Sequence, residues 1–223
     1  MVITTNPSRF SSLLFSLNVV NTTYCGGLLM RTEDMQVKLI KSTIHTISEV
    51  GIDRATTKLL ASNAGLNEAY IYRIFGGKEE LFKESFLYID KQFAAHLLKC
   101  FKTIVGSPYT IKENFRKIFS QIWVFALNDR EKCSFFIRYY YSRHYIKECS
   151  IYREKIYHKV VLLIKKIFKD DADTWLLFNY MLDVIFSSAV KVLRDEIPNN
   201  HETEENIFSF LYAALEPHLN TNN

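Results

Sequence analysis

The side chains with most to offer chemically lie close together, between Thr57 and Lys78. Asn67 and Glu68 bring a carboxamide and a carboxylate, groups that pair with adenine and with the cytosine amino group in a DNA major groove. Ala69 is small, and its methyl suits that of thymine. Tyr70 offers a ring to lay on sugar or thymine. Thr57 and Arg73 have donors for phosphate. Lys78 adds a charge at a helix start, where the helix dipole also favours an anion. Phosphate contacts set register and affinity, so among these residues only 67–70 can set base preference. Leu66, Ile71, Ile74 and Phe75 are the apolar complement that packs such a unit.

The elements that must hold these groups can be read from the local pattern. Thr56 and Thr57 are N-cap types before Lys58, Leu59, Leu60 and Ala61. Leu59, Leu60 and Ala64 give one apolar stripe at helical spacing. Gly65 ends that helix, since glycine enters the left-handed region without a Cβ penalty. Asn67 caps a second helix from Ala69 to Phe75, Gly76-Gly77 stops it, and Lys78-Glu79-Glu80 opens a third. Helix, glycine turn, helix over 56–75 is the layout of a DNA-reading helix-turn-helix.

Ordered residues along this stretch resemble the DNA-binding domain of the TetR/AcrR family of transcriptional regulators. They are Thr56/Thr57, Ala61, Ala64-Gly65-Leu66-Asn67, Ile71-Tyr72, Phe75, Lys78-Glu79 and Leu81-Phe82, and the similarity extends from about Arg31 to about Lys91. Ala69 departs from the glycine often found at its position. The resemblance implies that Tyr72 and Lys78 contact the DNA backbone, with Arg31 and Lys38 near it. It also implies a symmetric homodimer on a palindromic operator, and a C-terminal pocket whose small-molecule effector swings the helix joining the two domains. The expected protein is then a cytoplasmic repressor. A nucleoid- or division-type DNA binder of the same fold, without a small ligand, is the alternative.

Composition sets the fold class. The 223 residues are 48% hydrophobic with only 7 Gly and 4 Pro, which suits an all-α protein with a sizeable core. Net charge is +4, but residues 31–90 hold 8 Lys/Arg against 9 Asp/Glu, so bulk charge makes no case for nucleic acid there. The basic stretch is 130–169, with 11 Lys/Arg against 3 Asp/Glu. It reads as solvated helix faces, as attraction for an anionic ligand, or as added DNA contact. Cys25, Cys100, Cys133 and Cys149 are far apart and form no C-x-x-C or zinc spacing. They read as reduced thiols, with a Cys133/Cys149 redox pair as the sharper alternative. No glycine-rich phosphate loop, nucleophile motif or metal cluster suggests an enzyme or a cofactor.

Three regions follow: a poorly ordered extension over 1–30, the DNA-binding domain over 31–91, and a helical ligand-binding and dimerisation domain over 92–223. The apolar run in the extension is too short and polar to span a membrane. The spacing predicts helices at about 33–51 and 78–101, then 109–127, 130–147, 150–168, 172–195 and 203–217. Phe119, Trp123, Tyr139, Tyr140, His144 and Met181 are candidates for a pocket that takes an apolar or aromatic effector, with Arg138, Arg143 or His144 for an acidic group. Trp175, Phe178, Leu182, Ile185, Phe186, Phe208, Leu211 and Leu215 form apolar stripes suited to a dimer interface. Deleting residues 1–29 is expected to leave DNA affinity unchanged in a gel-shift titration; a large loss identifies the extension as a DNA-binding arm.

Overall fold

Capping side chains mark most of the helix starts. The computed structural model describes residues 26–104 and 106–220, with side chains from residue 32. It divides into two compact units, Met1–Asp34 and Met35–Asn223. Within the described residues the elements are α1 (Gly26–Val50), α2 (Thr57–Asn63), α3 (Ala69–Phe75), α4 (Lys78–Ile104), α5 (Ile111–Asn128), α6 (Arg130–Tyr140), α7 (Lys147–Ile164), α8 (Thr174–Leu193) and α9 (His201–Leu215). An isolated antiparallel bridge joins Phe168 to Leu219. The all-α class is as the composition implies. The expected extension over 1–30 lies mostly outside the described residues; at 26–30 the chain is already α1.

The caps follow from residue type. Thr56 accepts from the Leu59 amide at 3.2 Å to start α2. Thr110 and Glu113 form a capping box on α5, and the Thr110 backbone and hydroxyl donors hold the Glu113 carboxyl below its usual range. Asp129, Asp173 and Asn200 accept from the third residue beyond them, at 3.0, 2.9 and 2.9 Å, to start α6, α8 and α9. Two expectations fail at α6 and α7. α6 stops at Tyr140 rather than 147, and α7 begins at Lys147 rather than 150. The Ser142 hydroxyl donates to the Tyr139 carbonyl and accepts from the His144 amide, so a side chain closes the turn where continued helix was expected.

Apolar faces meet in one continuous core from Leu39 on α1 to Leu219. Its aromatic centre stacks Phe86 on Phe136 and Tyr139, with ring centroids 5.0 and 4.9 Å apart. α8 is long and apolar enough to cross a membrane by length and composition, but its inner face packs on α5 and α6. Phe178, Ile185 and Ala189 are buried on α8, and Phe186 stacks on Phe136 of α6.

A charged pair is buried among the described residues. Asp90 on α4 is 0% exposed and Arg153 on α7 is 3% exposed; the guanidinium donates to the carboxylate at 3.1 Å. The Tyr157 hydroxyl donates to the same carboxylate. Burial raises the Asp90 pKa, while Arg153 and Tyr157 oppose that shift. Burial is the largest single influence on Arg153 and works against its charge, but Asp90 together with Tyr157, Tyr145 and Tyr140 outweighs it and raises the pKa, so the guanidinium stays a cation. Removing one partner strands a buried charge, at about 3–5 kcal/mol. Asp90→Leu is therefore expected to lower unfolding free energy by about that amount in urea titration, and Asp90→Leu/Arg153→Met to recover most of the loss. Additive losses in the double variant would show that the two residues do not act as a pair.

Candidate nucleic-acid interface

α3 is seven residues long and two-faced. Ile71 and Phe75 are buried, with Leu60 and Ala61 of α2 and Leu39, Ile44 and Ile47 of α1 in the same core. α1 also holds the turn through polar ties. The Ser42 hydroxyl donates to the Leu60 carbonyl at 2.7 Å, and the Asn63 carboxamide donates to the Thr46 hydroxyl at 2.9 Å. Gly65 sits at φ +67° between α2 and α3, and Gly76 at φ +80° closes α3. Both lie in the left-handed region where a Cβ is strained. The pair of short helices is thus fixed from behind, which leaves its front free.

That front bears the predicted reading residues. Asn67, Ala69 and Arg73 are exposed, and Tyr72 is 53% exposed. Thr57, Glu68, Tyr70 and Lys78 are half-buried. The Asn67 Oδ1 accepts from the Ala69 amide at 2.9 Å, so its oxygen is engaged and its NH₂ is the group left to donate outward. The Arg73 guanidinium lies over the Tyr70 ring, 4.4 Å from its centroid, a cation–π contact that holds the two side chains together. Lys78 lies 5.5 Å from the Phe82 ring, at the start of α4. The surface between α2 and α3 is concave and lined by Asn67, Glu68, Ala69 and Tyr72 together with Lys58, Ser62 and Leu66. Lys58 and Ser62 were not among the predicted contacts. Their signal was spacing: four apart on α2, they share one outward face.

Three contacts tie this unit to the helices behind it. His45 Nδ1 meets the Glu131 carboxylate at 2.8 Å. Arg138 Nη1 donates to the Ile47 carbonyl at 2.7 Å, near the end of α1. His144 Nδ1 meets the Glu79 carboxylate at the start of α4, with its ring edge-on to Phe82. Glu131 and Arg138 are seven apart, so one face of α6 makes both contacts with α1.

The other predicted sites sit differently. Phe119 stacks on Trp123, and both are buried, as are Tyr139 and Met181. The Tyr139 hydroxyl donates to the His144 carbonyl at 2.9 Å. Tyr140 lies beside the Arg153 guanidinium, 5.1 Å from ring centroid to charge centre. These side chains are engaged with one another and with the core. A cleft of about 260 Å³ opens next to them instead, at the α5–α6 turn, walled by Ile89, Phe125, Phe136 and Phe186. Cys133 is in that wall; burial pushes its thiol up to about 12, with Asp129 adding to the shift. Such a thiol is a poor nucleophile. Cys100 and Cys149 are also buried and free, while Cys25 lies outside the described residues.

The predicted dimer residues need correction. Phe178, Leu182, Ile185, Phe186, Phe208, Leu211 and Leu215 are buried within this chain, and Trp175 is half-buried against Phe178. α8 is apolar on more than one side, so the stripe read as outward is the inward one. The outward apolar residues are Leu176 and Tyr180 on α8, 64% and 43% exposed, and Phe210 on α9, 73% exposed.

Comparison with known proteins agrees with this geometry. Residues 39–85 match the family model for bacterial regulatory proteins of the tetR family. A TetR family transcription regulator from Marinobacter aquaeolei VT8 superposes with TM-score 0.68 at 17% identity, covering 83% of this chain and 97% of that one. A similar regulator from Shewanella sp. PV-4 gives 0.67 at 16% identity, covering 81% and 97%. FadR from Bacillus subtilis, solved with stearoyl-CoA, gives 0.57 at 14% identity, covering 78% and 96%. At these identities the likenesses establish the fold. No curated protein sequence matches the chain.

If the exposed front of α3 reads DNA, its residues divide into two kinds. Tyr72→Phe and Lys78→Ala are expected to weaken binding to matched and scrambled duplexes by similar factors. Glu68→Ala and Tyr70→Ala are expected to change the ratio between the two duplexes, each by about 1–3 kcal/mol. Fluorescence anisotropy on both duplexes measures this, and equal loss in all four variants contradicts the division.

Proposed function

We propose that this chain, whose residues 39–85 match the tetR family model, is a transcriptional regulator of that family and a dimeric repressor released from a palindromic operator by a small-molecule effector. The observation that supports this most is the two-faced α3: Ile71 and Phe75 anchor it, while Asn67, Ala69, Tyr72 and Arg73 remain open to a groove. In this reading Asn67 to Tyr70 meet base edges, and Thr57, Tyr72, Arg73 and Lys78 meet phosphates. Lys58 joins the phosphate contacts. The domains are those of the sequence, with the reading unit up to about residue 91 and the effector and dimer functions beyond it.

A single α3 covers one half-site, so a twofold partner is needed to reach the next, roughly 34–36 Å away. Leu176, Tyr180 and Phe210 supply the exposed apolar surface for that partner, and α8 and α9 already pack together. The effector acts by population shift: it must bind one half-site spacing better than the other. FadR from Bacillus subtilis, similar in fold, was solved in complex with stearoyl-CoA, which supports an effector site here. α6 suits transmission, since its Glu131 and Arg138 hold α1 while Cys133 and Phe136 wall the cleft behind. The protein works in the cytoplasm, where its DNA is.

Footprinting around the chain's own promoter tests the main reading: an inverted repeat is expected to be protected, and failure to retain any inverted-repeat duplex at low salt rejects it. For the interface, Tyr180→Glu/Phe210→Glu is expected to weaken self-association at least a hundredfold by analytical ultracentrifugation and to abolish operator binding. An unchanged dimer would place the interface elsewhere.

A further inference from the structure

Apart from Arg138, the basic run over 130–169 has no part in the reading above. Two of its lysines, Lys155 and Lys159, stand one turn apart on α7, across from Lys91 on α4. All three are exposed. A groove of about 290 Å³ lies between them on the α4–α7 seam, floored by Ala94, Leu98, Ile156 and Val160. Ala95 is at its exposed edge. No carboxylate lines the groove. Among the described residues, lysine ion pairs form at Lys83 and Lys132 and not at these three. Lys91 instead lies 5.4 Å from the Tyr152 ring. Of the two acids adjacent to them in sequence, Asp90 is turned inward to Arg153, and Glu154 is exposed but lies outside the groove lining.

Three uncompensated cations above an aliphatic floor define a ligand with two parts. We propose that this groove binds a small amphipathic anion, a carboxylate on an unbranched alkyl tail of medium length, and that this molecule is the effector. The head is anionic because the rim has only positive charge to offer, and an ammonium centre close to a low-dielectric floor gains more from a counter-charge than one in open water. The tail is aliphatic because the floor has no ring on which an aromatic ligand would stack. At about 30 Å³ for a water-sized group, the groove holds roughly ten non-hydrogen groups, which sets the tail at about eight to ten carbons. The cleft at the α5–α6 turn lacks this selectivity, since Asp129 neutralises its Lys132 at 2.8 Å.

The place of the groove matches an effector's task, and this step rests on the repressor reading. α4 and α7 are joined from inside by Asp90, Arg153 and Tyr157, next in the chain to the groove residues Lys91 and Lys155. A tail wedged between Ala94 and Ile156 parts the two helices at the seam. α4 begins with Lys78 and Glu79, and Glu79 is held by His144. A shift of α4 at residues 91–98 therefore moves the residue that supports the reading unit.

Isothermal titration of the full chain with decanoate, hexanoate, decyltrimethylammonium and inorganic phosphate tests the chemistry. Decanoate is expected to bind once per chain, at least tenfold tighter than hexanoate, since each buried methylene tightens binding by up to about fourfold. The cation and phosphate are expected not to bind. Lys155→Glu/Lys159→Glu and, separately, Ala95→Trp, which fills the groove without touching its charges, are each expected to lose at least tenfold in decanoate affinity. Both change exposed positions, and thermal melts check that they fold. Equal binding of the cation, equal binding of phosphate, or unaltered affinity in the variants overturns the proposal. So does loss of DNA binding by Lys155→Glu/Lys159→Glu in the absence of decanoate, which makes the lysines DNA contacts. The same titrations in the presence of the footprinted promoter fragment separate the two readings. A duplex bound tightly and released by decanoate supports both. A duplex retained at saturating decanoate overturns the effector assignment alone. Decanoate bound in the groove of a protein that ignores every duplex rejects the repressor and leaves the site standing.

Discussion

A carboxylate with no exposure to water survives only beside a cation that shares its burial. That requirement, met by Asp90, Arg153 and Tyr157, fixes how α4 and α7 lie against each other. A purely apolar seam tolerates sliding, because dispersion and burial are non-directional. A buried ion pair with a third hydrogen bond tolerates little, since small displacements leave desolvated charge unpaired. α4 is one unbroken helix of 27 residues, so a constraint imposed at Asp90 is felt at both of its ends. One end opens beside α3, where Leu81 and Phe82 share a core with Ile71 and Phe75. The Arg153 guanidinium also faces Phe136 and Tyr140 of α6, at 5.7 and 5.1 Å, which draws a third helix into the same arrangement.

The reading unit depends on a different kind of contact. α2 and α3 are seven residues each, too short to persist alone in water. Their stability is borrowed from α1, through Leu39, Ile44 and Ile47 and through the hydroxyls of Ser42 and Thr46. α1 in turn is gripped by α6 through His45 with Glu131 and through Arg138 with the Ile47 carbonyl. The Ile47 carbonyl already accepts from the Gly51 amide at 3.0 Å, and Arg138 adds a cation near the end of α1, where the helix dipole favours one. Burial lowers the Arg138 pKa and Arg194 lowers it further, yet the group remains far above any physiological pH. The grip is therefore permanent with respect to protonation on the arginine side.

What could be read beforehand was local. Thr56, Asp129, Asp173 and Asn200 announce helix starts because a capping oxygen acts three residues away, within sight of the sequence. Gly65 and Gly76 announce turns for a similar reason. The exposed front of α3 was legible because Ile71 and Phe75 are four apart, with Tyr72 and Arg73 between them. The end of α6 was not, since it turns on one hydroxyl, that of Ser142, whose two partners depend on the folded path. The apolar surface of α8 was misjudged for a global reason. When several sides of a helix are apolar, periodicity alone does not say which side meets its own chain, and Phe178 and Ile185 went inward while Leu176 and Tyr180 stayed out. The aromatics of α5 and α6 were abundant enough to suggest a pocket, but Phe119, Trp123 and Tyr139 are spent on packing.

Charge placement follows the same division between local and global. A count over 130–169 detects an excess of lysine and arginine but not where it points. In the fold that excess separates. Arg153 goes inward to Asp90, Arg138 goes to the end of α1, and Lys132 pairs with Asp129. Each of these is compensated and therefore structural. Of those that remain, Lys155 and Lys159 gather with Lys91 on one seam, and that seam lies just outside the buried ion pair. Compensated charge holds helices in place, and uncompensated charge waits for a ligand. Their adjacency on α4 and α7 places the tightest constraint in the molecule one step from the surface best able to disturb it.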